Sequence, residues 1–146
     1  MIVEIAVVGT GFMGRNHARV LSSLQGAHLA AIVDADADHA RALAMEFGCS
    51  WGTDLDDVVD RVDAIVLAVP TELHHPIALR ALAAGLHVLV EKPIAATVQQ
   101  AQEMVEAAGA ALRTLAVGHI ERFNPACLDL AMYVKDPRFI QMRRLS

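Results

Sequence analysis

Short apolar runs alternate with helical patterns along nearly the whole chain, and this alternation constrains the fold more than any other feature. IVEIAVVG (2–9), HLAAIVDA (28–35), VDAIVLAVP (62–70), LHVLVE (86–91) and TLAVGHI (114–120) read as strands. Residues 14–24, 36–48, 53–60, 76–85 and 97–112 read as the helices between them. Helix signals punctuate the pattern: Asp36 as an N-cap and Gly48 after a last turn, Pro76 near a first turn and Gly85 past its end, and Thr97 with Gln100 as a capping box. The strands are almost continuously apolar, as parallel strands covered on both faces must be. The composition agrees, with 55% hydrophobic and only 4% aromatic residues. Such β-α repetition specifies an α/β fold: a doubly wound parallel sheet, with right-handed crossovers placing helices on both faces.

The remainder breaks the rhythm. Residues 121–137 read as a helix with Pro125 near its start, and residues 138–146 as a strand. A lone terminal strand would leave an unpaired edge. We therefore expect one doubly wound unit over 1–120, and over 121–146 a linking helix with the first strand of an incomplete second domain.

Bulk properties exclude several function classes. The formal net charge is −5 and the twelve basic residues are scattered apart from Arg143-Arg144, which argues against a nucleic-acid partner. No apolar run nears the ~18 residues of a membrane span. The start MIVEIAVVGTG has neither a basic leader nor a small-residue cleavage site, so a cytoplasmic protein is expected. The two cysteines, Cys49 and Cys127, form no CxxC and read as free thiols. No metal site is expected.

Chemistry concentrates where strands end. Gly9, Gly11 and Gly14 form G-x-G-x-x-G between a strand and a helix, with Phe12 and Met13 inside the motif and Asp34 ending the next strand. Gly9 permits the tight turn, Gly11 lets a pyrophosphate approach the backbone, and Gly14 allows close helix packing. The helix N-terminus favours negative charge, and Asp34 suits a ribose 2′-OH while repelling a 2′-phosphate. NAD is therefore the expected cofactor. The alternative is glycines serving only a tight turn, with Asp34 as a helix cap.

AVPTELHH ends the third of these strands and brings Pro70, Thr71 and His74 to the carboxyl edge, where such sheets bind ligands. On the residues alone, turn and solvated loop positions are the favoured reading, since loops are rich in such residues. HVLVEKPIA places Glu91, Lys92 and Pro93 after the fourth strand, with Lys92 one of only two lysines. A lysine at that lip can point its ammonium at a substrate hydroxyl, or simply snorkel from an exposed turn.

GTGFMGRNHARVL, VDADADHARALA, VLAVPTELHHPIALRALAAGLHVLVEKPIA and VGHIERFNP, in this order, resemble the glucose–fructose oxidoreductase / inositol dehydrogenase / MocA family. The resemblance implies a six-stranded nucleotide-binding domain followed by a larger α/β domain, and usually a homo-oligomer. It implies that Lys92 contacts cofactor and substrate and assists catalysis, and that Gly9, Gly11, Phe12, Met13, Gly14, Asp34, Pro70, Thr71, His74 and Glu91 line the cofactor. GHIERFNP is similar to members that oxidise the 3-hydroxyl of UDP-N-acetylhexosamines, which puts Arg122 and Asn124 at the sugar. The family's catalytic histidine, commonly in D-x-x-x-H, has no counterpart after Arg122. Dehydrogenase activity is therefore expected of a longer protein, with a small-molecule sugar or nucleotide-sugar substrate. The rival readings are a non-sugar reductase on this scaffold and a non-catalytic NAD-binding module.

Overall fold

The computed structural model describes residues 2–136, 138–139 and 141. Six parallel strands form one sheet: β1 (Val3–Val8), β2 (Ala27–Val33), β3 (Ser50–Gly52), β4 (Ala64–Leu67), β5 (His87–Val90) and β6 (Leu115–Val117). Their spatial order is β3-β2-β1-β4-β5-β6, so the winding reverses between β1 and β4. The helices are α1 (Phe12–Leu21), α2 (Ala37–Phe47), α3 (His74–Ala83), α4 (Val98–Ala111) and α5 (Pro125–Tyr133).

The two-residue period of a strand sorts the core. Ala6, Val8, Ile65, Leu67, Val88 and Val90 pack with Ala78, Leu82 and Met104 of α3 and α4. The intervening Val7 and Val66, with Ile32, pack with Ala18 and Leu21 of α1 and Leu43 of α2 on the opposite face. The doubly wound sheet is thus covered on both sides. Alanines at the helix contacts let the helices sit close to it.

Local chemistry follows the expected signals at several boundaries. The Asp36 carboxylate accepts from the N–H groups of Asp38 and His39, and Gly48 closes α2 in the left-handed region at φ 70°. Thr97 accepts from the Gln100 N–H and caps α4. Elsewhere the structure corrects the sequence reading. Strand β3 is three residues long at the sheet edge, too short to register as an apolar run. Residues 53–60 form two 3-10 turns rather than a helix: Asp57 accepts from the N–H groups of Thr53 and Asp54, and Val58 leaves helical geometry at φ −129°. Local side-chain hydrogen bonds of this kind compete with helix formation. The helix expected over 121–137 is a 3-10 turn (Ile120–Phe123) followed by the nine-residue α5. Most of the strand expected over 138–146 lies outside the described residues. Ile120, Phe123, Leu128, Met132 and Tyr133 are exposed around α5.

Among the described residues, no helix is long and apolar enough to cross a membrane. Cys49 and Cys127 are both free, as expected.

Candidate cofactor groove

Register brings the strand exits together. Val8 pairs with Leu67, and Leu67 with Val90, so Gly9, Ala68 and Glu91 leave the sheet at one level. The winding reverses at this point, and a crevice outside the strands' carboxyl ends is the consequence. It is a cavity of about 640 Å³. Its walls include Gly9 to Met13, Asp34, Val69, Pro70 and Arg80.

The glycine loop is shaped by what its backbone excludes. Gly9 turns with φ +99°, and a Cβ there would lie 2.5 Å from the Ala68 carbonyl oxygen. A Cβ on Gly14 would lie 1.8 Å from the Gly9 carbonyl oxygen, so α1 can pack on the loop only without one. Gly11 differs: a Cβ there would meet nothing within 4 Å. Gly11 also caps α1 with no side-chain hydrogen bond. The helix start therefore opens on the cavity with its orphan N–H groups unshielded, which fits an anionic pyrophosphate.

Asp34 stands across the loop. Its Oδ2 accepts from the Thr10 N–H at 2.8 Å and the Thr10 hydroxyl at 2.6 Å, and its Oδ1 accepts from the Asp36 N–H at 3.0 Å. Partial burial pushes this carboxyl up. The Thr10 hydroxyl, the Asp36 and Thr10 N–H groups and the nearby His39 outweigh that and hold it below its ordinary value. The carboxylate stays ionised, and Oδ1 keeps a lone pair for a ligand hydroxyl.

At the far end of the groove Arg80 pairs with Asp54 and with Asp56 at 2.9 Å. Its hydrogen bonds to Asp54, with those from the Asp56 and Leu55 N–H groups, keep the Asp54 carboxyl below its ordinary value. Thr10, Thr53, Asp54, Leu55, Leu73, Ile77 and Arg80 line the cavity but were not among the sequence candidates. The unrecognised β3 hid the 53–55 turn, because only a strand there carries that turn to the carboxyl edge.

The other candidates fall outside the cavity walls. His74 is buried, at 1% exposure, with Nδ1 3.0 Å from the Pro93 carbonyl oxygen and Nε2 2.9 Å from that of Val69. Glu91 is 7% exposed, and its Oε1 lies 2.8 Å from His17 Nε2 of α1. Thr71 begins a 3-10 turn. Lys92 is exposed and precedes a cis Lys92–Pro93 bond. Among the described residues its ammonium has no hydrogen-bonding or ionic partner. Arg122 is exposed, and the Asn124 side chain is partly engaged, accepting from the Ala126 N–H and donating to Glu121 at 2.8 Å.

A six-stranded doubly wound sheet with a glycine-rich βα turn at its switch point defines a dinucleotide-binding Rossmann domain. Residues 3–119 match the GFO_IDH_MocA oxidoreductase family in its NAD-binding Rossmann fold, and the chain belongs to that family. It is 32% identical over 145 residues to UDP-N-acetylglucosamine 3-dehydrogenase of Acidithiobacillus ferrooxidans, covering 99% of this chain and 46% of that protein. A structure of that enzyme superimposes with a TM-score of 0.85, covering 91% of this chain and 42% of that one. Inositol 2-dehydrogenase 4 of Saccharopolyspora erythraea is 40% identical over 133 residues, 88% of this chain and 39% of that protein. The GenD2 protein of gentamicin A biosynthesis, solved in complex with NAD, is 39% identical with a TM-score of 0.78, over 80% of this chain and 34% of that one. The chain thus spans under half the length of these relatives.

Proposed function

We propose that this chain is the NAD-holding part of an oxidoreductase that oxidises a sugar hydroxyl, with the 3-hydroxyl of a UDP-N-acetylhexosamine as substrate. The observation that carries the reading is the groove itself: an uncapped helix start and an unfilled Gly11 face an ionised Asp34. The similarity to a UDP-N-acetylglucosamine 3-dehydrogenase along nearly the whole chain supports the substrate class. A cyclic polyol is the second reading, favoured by the 40% identity to an inositol 2-dehydrogenase.

Each residue has a definite task in this reading. Gly9, Gly11, Phe12, Met13 and Gly14 bring backbone N–H groups and the α1 dipole to the pyrophosphate. Asp34 accepts from the adenosine ribose 2′-OH through its spare Oδ1 lone pair, and its charge disfavours a 2′-phosphate, so NAD is preferred to NADP. Pro70 shapes the wall at the β4 exit, and Thr71 begins the turn just beyond it. The bound nicotinamide supplies the hydride-accepting ring. Lys92 would donate from its ammonium to the reacting hydroxyl oxygen and polarise it, while a base carried by the remainder of the longer protein takes the hydroxyl proton. Arg122 and Asn124 contact the sugar, Asn124 through the N–H that Glu121 leaves free. Residues 1–120 form the cofactor unit, and 121–146 lead into a substrate domain equivalent to the remainder of the relatives. Turnover therefore belongs to a protein carrying that remainder, and residues 1–146 alone bind NAD without dehydrogenase activity.

Titration calorimetry of the chain with NAD, paired with an assay of cofactor reduction on UDP-N-acetylglucosamine and myo-inositol, tests this. NAD binding by the chain is expected, with reduction on the UDP-sugar only in the longer protein. No detectable NAD binding would overturn the reading, and reduction on myo-inositol alone would move it to the polyol.

A further inference from the structure

Lys92 presents a contrast. Its side chain is exposed and has no partner among the described residues, while the backbone on both sides of it is tied down. Its own N–H donates to Glu91 Oε2 at 3.2 Å. The other oxygen of that buried carboxylate lies 2.8 Å from His17 Nε2, on the helix that begins at the glycine loop. Gly118 packs over the carboxylate so closely that a Cβ there would lie 3.1 Å from Oε1. On the opposite side, the carbonyl of Pro93 lies 3.0 Å from His74 Nδ1, and Nε2 of the same ring is 2.9 Å from the carbonyl of Val69 in the groove wall.

We propose that His17 and His74 are positioning residues that hold Lys92 between the two walls of the groove, His17 through Glu91 to α1 and His74 through Pro93 to the β4 exit. This rests on the reading of Lys92 as the residue that meets cofactor and substrate. Burying a polar ring or a carboxylate is unfavourable unless it is hydrogen-bonded. Among the described residues every buried side-chain nitrogen and oxygen has a partner. An apolar side chain would fill either site without that requirement, but it would bridge nothing. A neutral His74 ring donates to one of its two carbonyls and a doubly protonated ring to both. Only with a proton on both ring nitrogens does the ring hydrogen-bond the exits of β4 and β5 at once. The lysine ammonium stays free for a ligand because its mainchain, not its side chain, carries the restraint.

The chain has only two lysines, Lys92 and Lys135. Dimethylation with carbon-13 therefore gives two lysine signals in an NMR spectrum, and Lys92→Arg assigns them. In the wild-type chain, saturating NAD should shift the Lys92 signal. His17→Phe and His74→Phe keep ring volume and remove the bridges. At NAD saturation each should reduce that shift about twofold or more, and His17→Gln and His74→Gln should restore it in part. An undiminished shift in both Phe variants would overturn the brace. If calorimetry shows NAD bound to the wild type while its Lys92 signal stays still, the assignment of Lys92 to the cofactor fails and the brace falls with it. If the Phe variants do not fold, the wild-type protein decides. Exchange-protected His74 ring N–H protons with Overhauser contacts to both Pro93 and Val69 support the brace, and the lack of one at Pro93 refutes it.

Discussion

The two halves of the groove are built by opposite means. The β1–α1–β2 half is shaped by side chains that are missing: Gly9 and Gly14 have no room for a Cβ, and Gly11 has room that nothing fills. On the β4–β5 side, behind the cavity walls, the strand exits are held by side chains that are present and buried, His74 and Glu91, with His17 reaching across from the first half. A backbone-built half can be damaged by adding one methyl group. A half built from side chains is damaged by removing a donor while leaving the volume intact.

The largest expected effect sharpens this contrast at Lys92. In the longer enzyme, Lys92→Ala should lower kcat by on the order of 10²-fold or more, the range for a positioned proton-transfer group, while NAD binding falls much less. Folding stability should stay within about 0.5 kcal/mol, because the side chain is exposed and without a partner among the described residues. A variant with near-normal kcat would return Lys92 to an ordinary surface residue.

The glycines give the next two tests. Gly14→Ala forces a methyl into the Gly9 carbonyl, so it should destabilise the fold by about 1–3 kcal/mol and misplace the loop that receives NAD. Gly11→Ala meets no protein atom, so thermal melting should barely move while NAD affinity falls about tenfold, equivalent to ~1.4 kcal/mol. Equal loss of stability in the two variants would break the distinction between a packing glycine and a ligand-facing one.

Cofactor choice should be of similar size. Asp34 is expected to make NAD bind at least tenfold more tightly than NADP, about 1.4 kcal/mol. Equal or tighter NADP binding in calorimetry would remove Asp34 from the ribose.

The smallest effect concerns pH. The folded protein holds Asp34 below its ordinary value, so the unfolded chain binds that proton more tightly. Its contribution to stability is therefore complete above the ordinary carboxylate range and is lost as pH falls through the folded value. Thr10→Val removes the hydroxyl donor, which should raise the Asp34 midpoint and move that loss to higher pH. A carbon-13 carboxyl titration with an unchanged midpoint would show that the hydroxyl has no such role.

Local chemistry alone was enough for much of the molecule. The apolar runs marked β1, β2, β4, β5 and β6, because a strand covered on both faces must be apolar throughout. The spacing of Gly9, Gly11, Gly14 and Asp34 marked one wall of the groove, because steric limits on a βα turn act within a few residues. Short β3 was invisible, since its three residues are strand only by pairing with β2. With it went the 53–55 turn and Arg80 as groove walls. The interior destination of His74 and the link from His17 to Glu91 were equally hidden. A histidine in a loop and one in a sheet-bound helix carry the same local signal, whatever they finally touch. Only the packing of α1 and α3 on opposite faces of one sheet brought residues 17, 69, 74, 91 and 93 within hydrogen-bond reach, because these contacts span 5 to 74 residues of sequence.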